Sequence, residues 1–353
     1  MMKVVKNTSV THKGTVPTVD KEIVGGTTTE TRDYSIGDTI EYKLTGTLPS
    51  NYAEYTVYKY VFHDTLTAGL TYDVNDEDKK AKVYVVNDED ETEVTAKFTI
   101  TYEQNKLTVS CDDLKKINDV TINANSKIVV KYTCTLNVQA VVGGEGNPNS
   151  VYLQFSNDPN HDGEGDIPTG ETPKDTVVVF TFELDVTKVD GDNSTKKLQG
   201  AKFKLKNSDN KWVIVDTNSK VTGWADIEDT GSVLTSDAEG FFKISGLEDG
   251  TYYLKETKAP DGYNLLANEI TIVIASTYDE QGVKTLTIKV DTGNIENGNT
   301  STGVVDTTVE NNQGATLPET GGIGTTIFYV FGSILVLAAV VLLVTKKRMN
   351  NAE

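Results

Sequence analysis

Ile128-Val129-Val130-Lys131-Tyr132-Thr133-Cys134-Thr135-Leu136 reads as a strand. Ile128, Val130, Tyr132, Cys134 and Leu136 share one parity; Val129, Lys131, Thr133 and Thr135 share the other. A period of two turns the first set toward a core and the second toward water. Outward from this run, short strand patterns are punctuated by Gly, Asn and Asp clusters at residues 75–78, 87–91, 143–149 and 190–194. Such clusters are turn chemistry. No convincing amphipathic helix interrupts the pattern up to residue 313. The chain is therefore expected to be all-β, with two tandem sandwiches at residues 15–176 and 177–313. The apolar run from Val177 to Val186 holds neither Gly nor Pro. It is expected to bridge both sandwiches as one stiff strand. Residues 1–14 read as a linker or the remnant of an earlier domain.

Composition narrows the function. The net charge of -19 argues against nucleic acid as a partner and fits a soluble, self-repelling surface. The 16 Tyr against 2 Trp suit half-exposed strands. Two cysteines, Cys111 and Cys134, make no disulfide framework. Both point inward by parity, and either one bridge or two buried thiols fits.

Charged and amide side chains interrupt six apolar faces. Val19, Lys21 and Ile23 share a face, as do Tyr58, Tyr60, Phe62 and Asp64, and Asn149, Val151, Leu153 and Phe155. The second module repeats the order with Phe182, Leu184, Val186 and Lys188, then Tyr252, Leu254 and Glu256, then Val305, Thr307, Val309 and Asn311. A lone buried charge is costly and needs a partner. Burial lowers a lysine pKa and raises that of a carboxyl group. A neutral amine can then attack the Asn carboxamide, while the protonated acid polarises that carbonyl and shuttles protons. Ammonia leaves and an amide joins the side chains. This is self-modification, once per module, and not enzymatic turnover. The alternative is three unrelated groups per module, with snorkelling lysines and ordinary ion pairs. Two triads in the same chain order favour the covalent reading. It pairs Lys21 with Asn149 through Asp64, and Lys188 with Asn311 through Glu256.

The C-terminus carries Leu317-Pro318-Glu319-Thr320-Gly321, then an uncharged apolar run from Ile327 to Val344, then Lys346, Lys347 and Arg348. The apolar run is about long enough to cross a bilayer as a helix, expected over residues 325–345. The basic tail should stay cytoplasmic. This order resembles the cell-wall sorting signal of Gram-positive surface proteins, here spanning 314–353. The resemblance implies that a sortase cuts between Thr320 and Gly321. It also implies transfer of the Thr carbonyl to an amine on peptidoglycan or on another subunit. The implied location is the cell wall, reached through a transient single-pass membrane precursor. Met1-Met2-Lys3-Val4-Val5-Lys6 offers no apolar secretory segment, so a longer parent chain is expected.

Residues 34–42, 63–72 and 149–159 are similar to the isopeptide-forming middle domain of Gram-positive major (backbone) pilins. Residues 252–263 resemble the acidic-box segment of the Cna B-type, prealbumin-like domain, and residues 309–314 resemble the strand before its sorting signal. The resemblance implies two immunoglobulin-like sandwiches and a structural pilus subunit without cofactors. Its partners would be sortase, other pilin subunits, peptidoglycan and, before cleavage, the membrane. Asn147 and Asn312 compete with Asn149 and Asn311, and apolar parity is taken to favour the latter two. The family joins subunits through a lysine in a Tyr-Pro-Lys context ahead of the middle domain. Lys13 holds that place here, in Val10-Thr11-His12-Lys13-Gly14, without the Tyr-Pro pair. The alternative function is an adhesin attached singly to the wall. A surface enzyme using these modules as a stalk is a third class, for which the chain offers no catalytic site.

Two other signals are weaker. Asp158, Asn160, Asp162, Glu164 and Asp166 follow part of a calcium loop, but Thr169 stands where the closing Glu belongs. A solvated acidic loop is favoured over a metal site. His63 adjoins Asp64 but falls on the opposite strand face, as a surface histidine would.

Overall fold

The computed structural model describes residues 15–25, 31–74, 76, 79–279 and 282–314. It contains two β-sandwiches. In the first, one sheet has the order β1 (Val19–Ile23), β3 (Thr39–Gly46), β10 (Lys127–Leu136), β6 (Lys82–Asn87) and β7 (Asp90–Glu93), with β5 (Leu70–Thr71) also on β10. The facing sheet runs β2 (Thr31–Asp33), β13 (Asp175–Phe180), β11 (Asn147–Ser156), β4 (Tyr60–Leu66), β9 (Lys106–Cys111) and β8 (Thr99–Glu103), with β12 (Thr169–Glu171) on β11. The opening run is β10, the centre of its sheet. All five residues of its apolar parity are buried.

The second sandwich packs a three-stranded sheet, β19 (Phe241–Leu247), β14 (Phe182–Asp190) and β24 (Val304–Asn311), on a larger one. The larger sheet runs β17 (Val221–Ala225), β16 (Trp212–Val215), β15 (Lys202–Asn207), β20 (Gly250–Lys258), β21 (Ile270–Asp279), β22 (Gly282–Val290) and β23 (Ile295–Asn297), with β18 (Leu234–Thr235) on β15. Strand β24 lies parallel to β14, with Lys188 opposite Val309 and Asp190 opposite Asn311. Among the described residues no helix is long and apolar enough to cross a membrane. The expected membrane helix, the LPETG motif and Lys13 lie outside the described residues.

Four readings need correction. The bridging strand is two strands, because Thr181 breaks it: its hydroxyl donates to Leu247 O (3.1 Å) and its carbonyl accepts from Gly143 N (2.9 Å). Strand β13 pairs with β11 and β2, so the first sandwich extends through Phe180 and not only to residue 176. Asn149 therefore lies on β11, and β13 closes the module. Asn147 shares the parity of Asn149 and is equally buried, so parity does not separate them. Many tyrosines are not half-exposed: Tyr42, Tyr58, Tyr60, Tyr132 and Tyr252 are core residues. Their rings stack edge-on and face-on, as in Tyr60–Phe62 at 5.5 Å and Tyr42–Tyr132 at 5.3 Å. Burial in such pairs offsets the cost of enclosing a hydroxyl.

The sandwiches touch along the Thr181 crossover. Ile36 N donates to Gly246 O (2.9 Å), Tyr278 OH to Asp33 (2.6 Å) and Lys220 Nζ to Val138 O (2.8 Å). Phe180 of the first sandwich stacks on Tyr278 of the second at 5.6 Å. The backbones of Gly143 and Gly303 meet there, both at positive φ (56° and 70°). A Cβ on Gly143 would lie 2.1 Å from Gly303 N, where backbone cannot yield. Gly143→Ala is therefore expected to destabilise the two-module fragment by about 1–3 kcal/mol through strain and overlap. Thermal unfolding checks this, and an unchanged midpoint would show that the junction does not depend on this contact.

Candidate functional site

In the first sandwich β1 and β10 carry Lys21 and Tyr132 inward from one sheet, while β4 and β11 carry Asp64 and Asn149 inward from the other. The period-two alternation that builds the core thus aims all four side chains at one point. The side chains of Lys21 and Asp64 are fully enclosed, and Lys21 Nζ lies 2.7 Å from each Asp64 oxygen. The same amine donates to Tyr132 OH at 2.9 Å. Tyr132 OH donates in turn to Asp64 Oδ2, and Asn149 Nδ2 donates to Tyr132 OH at 2.9 Å. Asn149 Oδ1 is buried without a partner. The Lys21 backbone N–H donates to Asp175 at 2.6 Å, which pins β1 against β13.

Burial pushes the Lys21 pKa down, and the adjacent Asp64 charge offsets this only in part. Burial, reinforced by Asp64, pushes the Tyr132 hydroxyl well up, so it stays protonated. Tyr42 lines the pocket with its ring centroid 5.1 Å from Lys21 Nζ. The amine therefore sits between aromatic faces with water excluded. Such a setting favours proton transfer from ammonium to carboxylate, because the neutral pair costs less to bury than the charged one.

The second sandwich builds its cluster differently. Lys188 and Asn311 lie on the adjacent parallel strands β14 and β24 and face inward together. Lys188 Nζ donates to Val309 O at 2.9 Å. Glu256 reaches across from β20, and its Oε2 accepts from Asn311 Nδ2 and from Leu266 N, both at 2.9 Å. Asn311 Nδ2 also donates to Asn264 O. Glu256 Oε1 and Asn311 Oδ1 are buried without partners. Burial lowers the Lys188 pKa to about 8 against the opposing pull of Glu256 and Glu310. Each orphaned oxygen costs about 1–3 kcal/mol in a core. Here three of them belong to the two Lys–acid–Asn clusters.

The competitors are placed elsewhere. Asn147 is used up on backbone, accepting from Val141 N (2.9 Å) and donating to Val141 O (3.0 Å) and Val179 O (3.2 Å). Asn312 is exposed. His63 lies half-buried on the outer face, stacked on Tyr152 at 4.7 Å and paired with Gln154. Cys111 and Cys134 are free thiols on β9 and β10, in opposite sheets. In the acidic loop Asp158 and Asp162 accept backbone N–H groups of Asn160 (2.9 Å) and Glu164 (3.0 Å). No group of three metal-ligating side chains forms among the described residues. Sequence reading missed Tyr132 as a site residue, along with the backbone groups of Asn264, Leu266 and Val309. The inward parity of Tyr132, shared with Cys134, was the available signal for the first. The backbone contacts left no side-chain signature.

Family comparisons agree with this architecture. Residues 36–159 match the Gram-positive pilin backbone subunit 2, Cna-B-like domain. Residues 182–292 match a prealbumin-like fold domain, and residues 309–351 match the LPXTG cell wall anchor motif. The chain is 26% identical over 399 residues to the trypsin-resistant surface T6 protein of Streptococcus pyogenes serotype M6, covering 95% of this chain and 70% of the relative. Among solved structures it resembles the pilus 2b backbone protein of group B streptococcus (26% identity, 86% of this chain and 99% of that one, TM-score 0.60). It also shares the fold of the 35 kDa C-terminal fragment of the major pilin GBS80 of Streptococcus agalactiae (22% identity, 84% and 100%, TM-score 0.58). With its anchor motif, its two module families and an alignment along nearly its whole length, the chain belongs to the LPXTG-anchored backbone pilins of Gram-positive bacteria, structural proteins of the cell wall surface.

Proposed function

We propose that this backbone subunit locks each of its two modules with a self-formed amide, Lys21 to Asn149 and Lys188 to Asn311. Sortase then joins subunits through Thr320 and anchors the fibre to peptidoglycan. The modules are an isopeptide-forming middle pilin domain and a Cna B-type domain, followed by the sorting signal. One observation carries the reading: a buried lysine, a buried acid and a buried asparagine converge in each sandwich, with the Asn carbonyl oxygen unpartnered both times. In the first module the close Lys21–Asp64 pair supports proton transfer that frees the amine. The amine then attacks the Asn149 carboxamide carbon, and ammonia leaves. In the second, Glu256 already holds the carboxamide. The dry, prepositioned pocket supplies much of the rate. Likeness to backbone pilins supports the fibre over a singly attached adhesin. Lys13 is the proposed acceptor amine between subunits.

The intact ectodomain should weigh less than its sequence mass by about 17 Da per amide, the ammonia lost in each substitution. Asp64→Ala and Glu256→Ala should each restore one ammonia. An unmodified wild-type mass would end the cross-link reading. Fibre formation is tested separately: wall extracts should show high-molecular-weight ladders that Lys13→Ala reduces to a single band. Ladders that persist in that variant would move the acceptor elsewhere.

The lowered pKa of Lys188 makes a further contrast. In Asn311→Ala the amine stays free, and between pH 8 and 10.5 the unfolded chain binds more protons than the folded one. Unfolding free energy must therefore rise with pH across that window. The wild-type second module, whose amine is consumed, should lack this contribution. Urea unfolding at pH 7.5 and 10 compares the two, and equal slopes would place the free amine in water.

A further inference from the structure

Asp64 and Glu256 are not equivalent in what they touch. Glu256 Oε2 accepts directly from Asn311 Nδ2 at 2.9 Å. Asp64 spends both oxygens on Lys21, one of them also accepting from Tyr132, and makes no hydrogen bond to Asn149. The Nδ2 of Asn149, the atom that must leave as ammonia, donates to Tyr132 OH at 2.9 Å. That hydroxyl also accepts from the Lys21 amine at 2.9 Å. It is thus the one group in contact with nucleophile, acid and leaving group together. We infer that Tyr132 is a catalytic residue of the first module, relaying a proton through its hydroxyl to the departing nitrogen of Asn149.

The inference rests on the cross-link reading above and assigns its missing step. The Lys21 ammonium starts with three protons and Asp64 with none. One proton passes to Asp64. The freed lone pair forms the N–C bond to the Asn149 carbonyl carbon, whose π electrons move onto Oδ1. As the carbonyl re-forms, the C–Nδ2 bond breaks. Tyr132 gives its proton to Nδ2 and takes one from the attacking nitrogen, so its own charge is unchanged. Ammonia leaves with three hydrogens, the new amide keeps one, and Asp64 ends protonated. Charge is balanced without a co-reactant. The hydroxyl remains protonated in this dry pocket, so a donor is always present. The second module needs no such relay, because its acid meets the carboxamide itself.

The test compares wild type, Tyr132→Phe and Tyr58→Phe ectodomains in a cell-free translation time course. Intact mass and peptide mapping read each bond separately. Tyr58 is buried in the same sandwich, packs on Tyr52 and Tyr55 and makes none of the cluster's hydrogen bonds, so Tyr58→Phe controls for loss of a core hydroxyl. Tyr132→Phe should slow the Lys21–Asn149 bond about 10²-fold, the usual scale of a general acid–base group. Its Lys188–Asn311 bond, and both bonds of Tyr58→Phe, should form at the wild-type rate. A first-module bond forming at the wild-type rate in Tyr132→Phe would overturn the relay. Equal slowing in Tyr58→Phe would assign the effect to packing and also overturn it. Because Tyr132→Phe can also fail by misfolding, 3,5-difluorotyrosine at position 132 provides a variant that keeps ring and hydroxyl. It should change the rate of the first bond only, and an unchanged rate there refutes the relay. Absence of both bonds from wild type would instead defeat the parent reading.

Discussion

An ammonium group enclosed in a protein core is the constraint on which this structure turns. Lys21 and Lys188 are 1% and 0% exposed, and neither stem can carry its head to water. Desolvating such a charge costs several kcal/mol even after relaxation, and a single carboxylate returns only part of it. Burial lowers the pKa of both amines. A neutral amine is a nucleophile, and the strand pattern that enclosed it has enclosed a carboxamide beside it. The proposed covalent closure would remove the electrostatic problem by removing the charge. The core would then hold neutral amides, which hydrogen bonds can satisfy.

The modules solve one problem with two geometries. In the second, lysine and asparagine sit on neighbouring parallel strands, and the acid crosses from the opposite sheet. The longer Glu side chain spans that gap to the carboxamide. In the first, the shorter Asp lies close to the amine and makes no hydrogen bond to the asparagine, and a tyrosine hydroxyl fills the interval. Acid length and tyrosine placement therefore belong together. On the proposed relay, the Asp of the first module would need the hydroxyl beyond it, whereas the Glu of the second reaches the asparagine directly.

Much of this was legible in the sequence, because strand parity is a strict rule. Lys21, Asp64, Lys188, Glu256 and Asn311 were read inward from alternation alone, and each is buried. Parity failed where two candidates differ by two residues, as Asn147 and Asn149 do. Only the backbone partners of Asn147 separate them. It also failed for Tyr132, whose inward direction is as plain as that of Cys134 but whose contacts depend on three other strands. Composition misled on tyrosine, since an average preference for half-exposed strands says nothing about a core that stacks its rings in pairs. The break at Thr181 carried no Gly or Pro to announce it. It is imposed by backbone partners on both sandwiches.

The placement of the amides decides which parts of the fibre would bear load. In the second module force arriving at Phe182 would run along β14 to Lys188, cross to Asn311 at the end of β24, and continue toward the anchor. Residues 189–310 would lie outside that path, and their hydrogen bonds would not be pulled. The first module is not symmetrical with it. A bond from Lys21 to Asn149 shields residues 22–148 but leaves β11, β12 and β13 in the path. Strands β11 and β13 are antiparallel, with Asn149 opposite Val177. Load on Asn149 and on Phe180 would therefore act at the same end of the pair and open it one hydrogen bond at a time. Residues 150–180, at about 3.3–3.6 Å each when extended, hold on the order of 100 Å of length. With the proposed amides in place, one module would be a strut, and the other would join a strut to a reserve of chain held by an unzipping ladder.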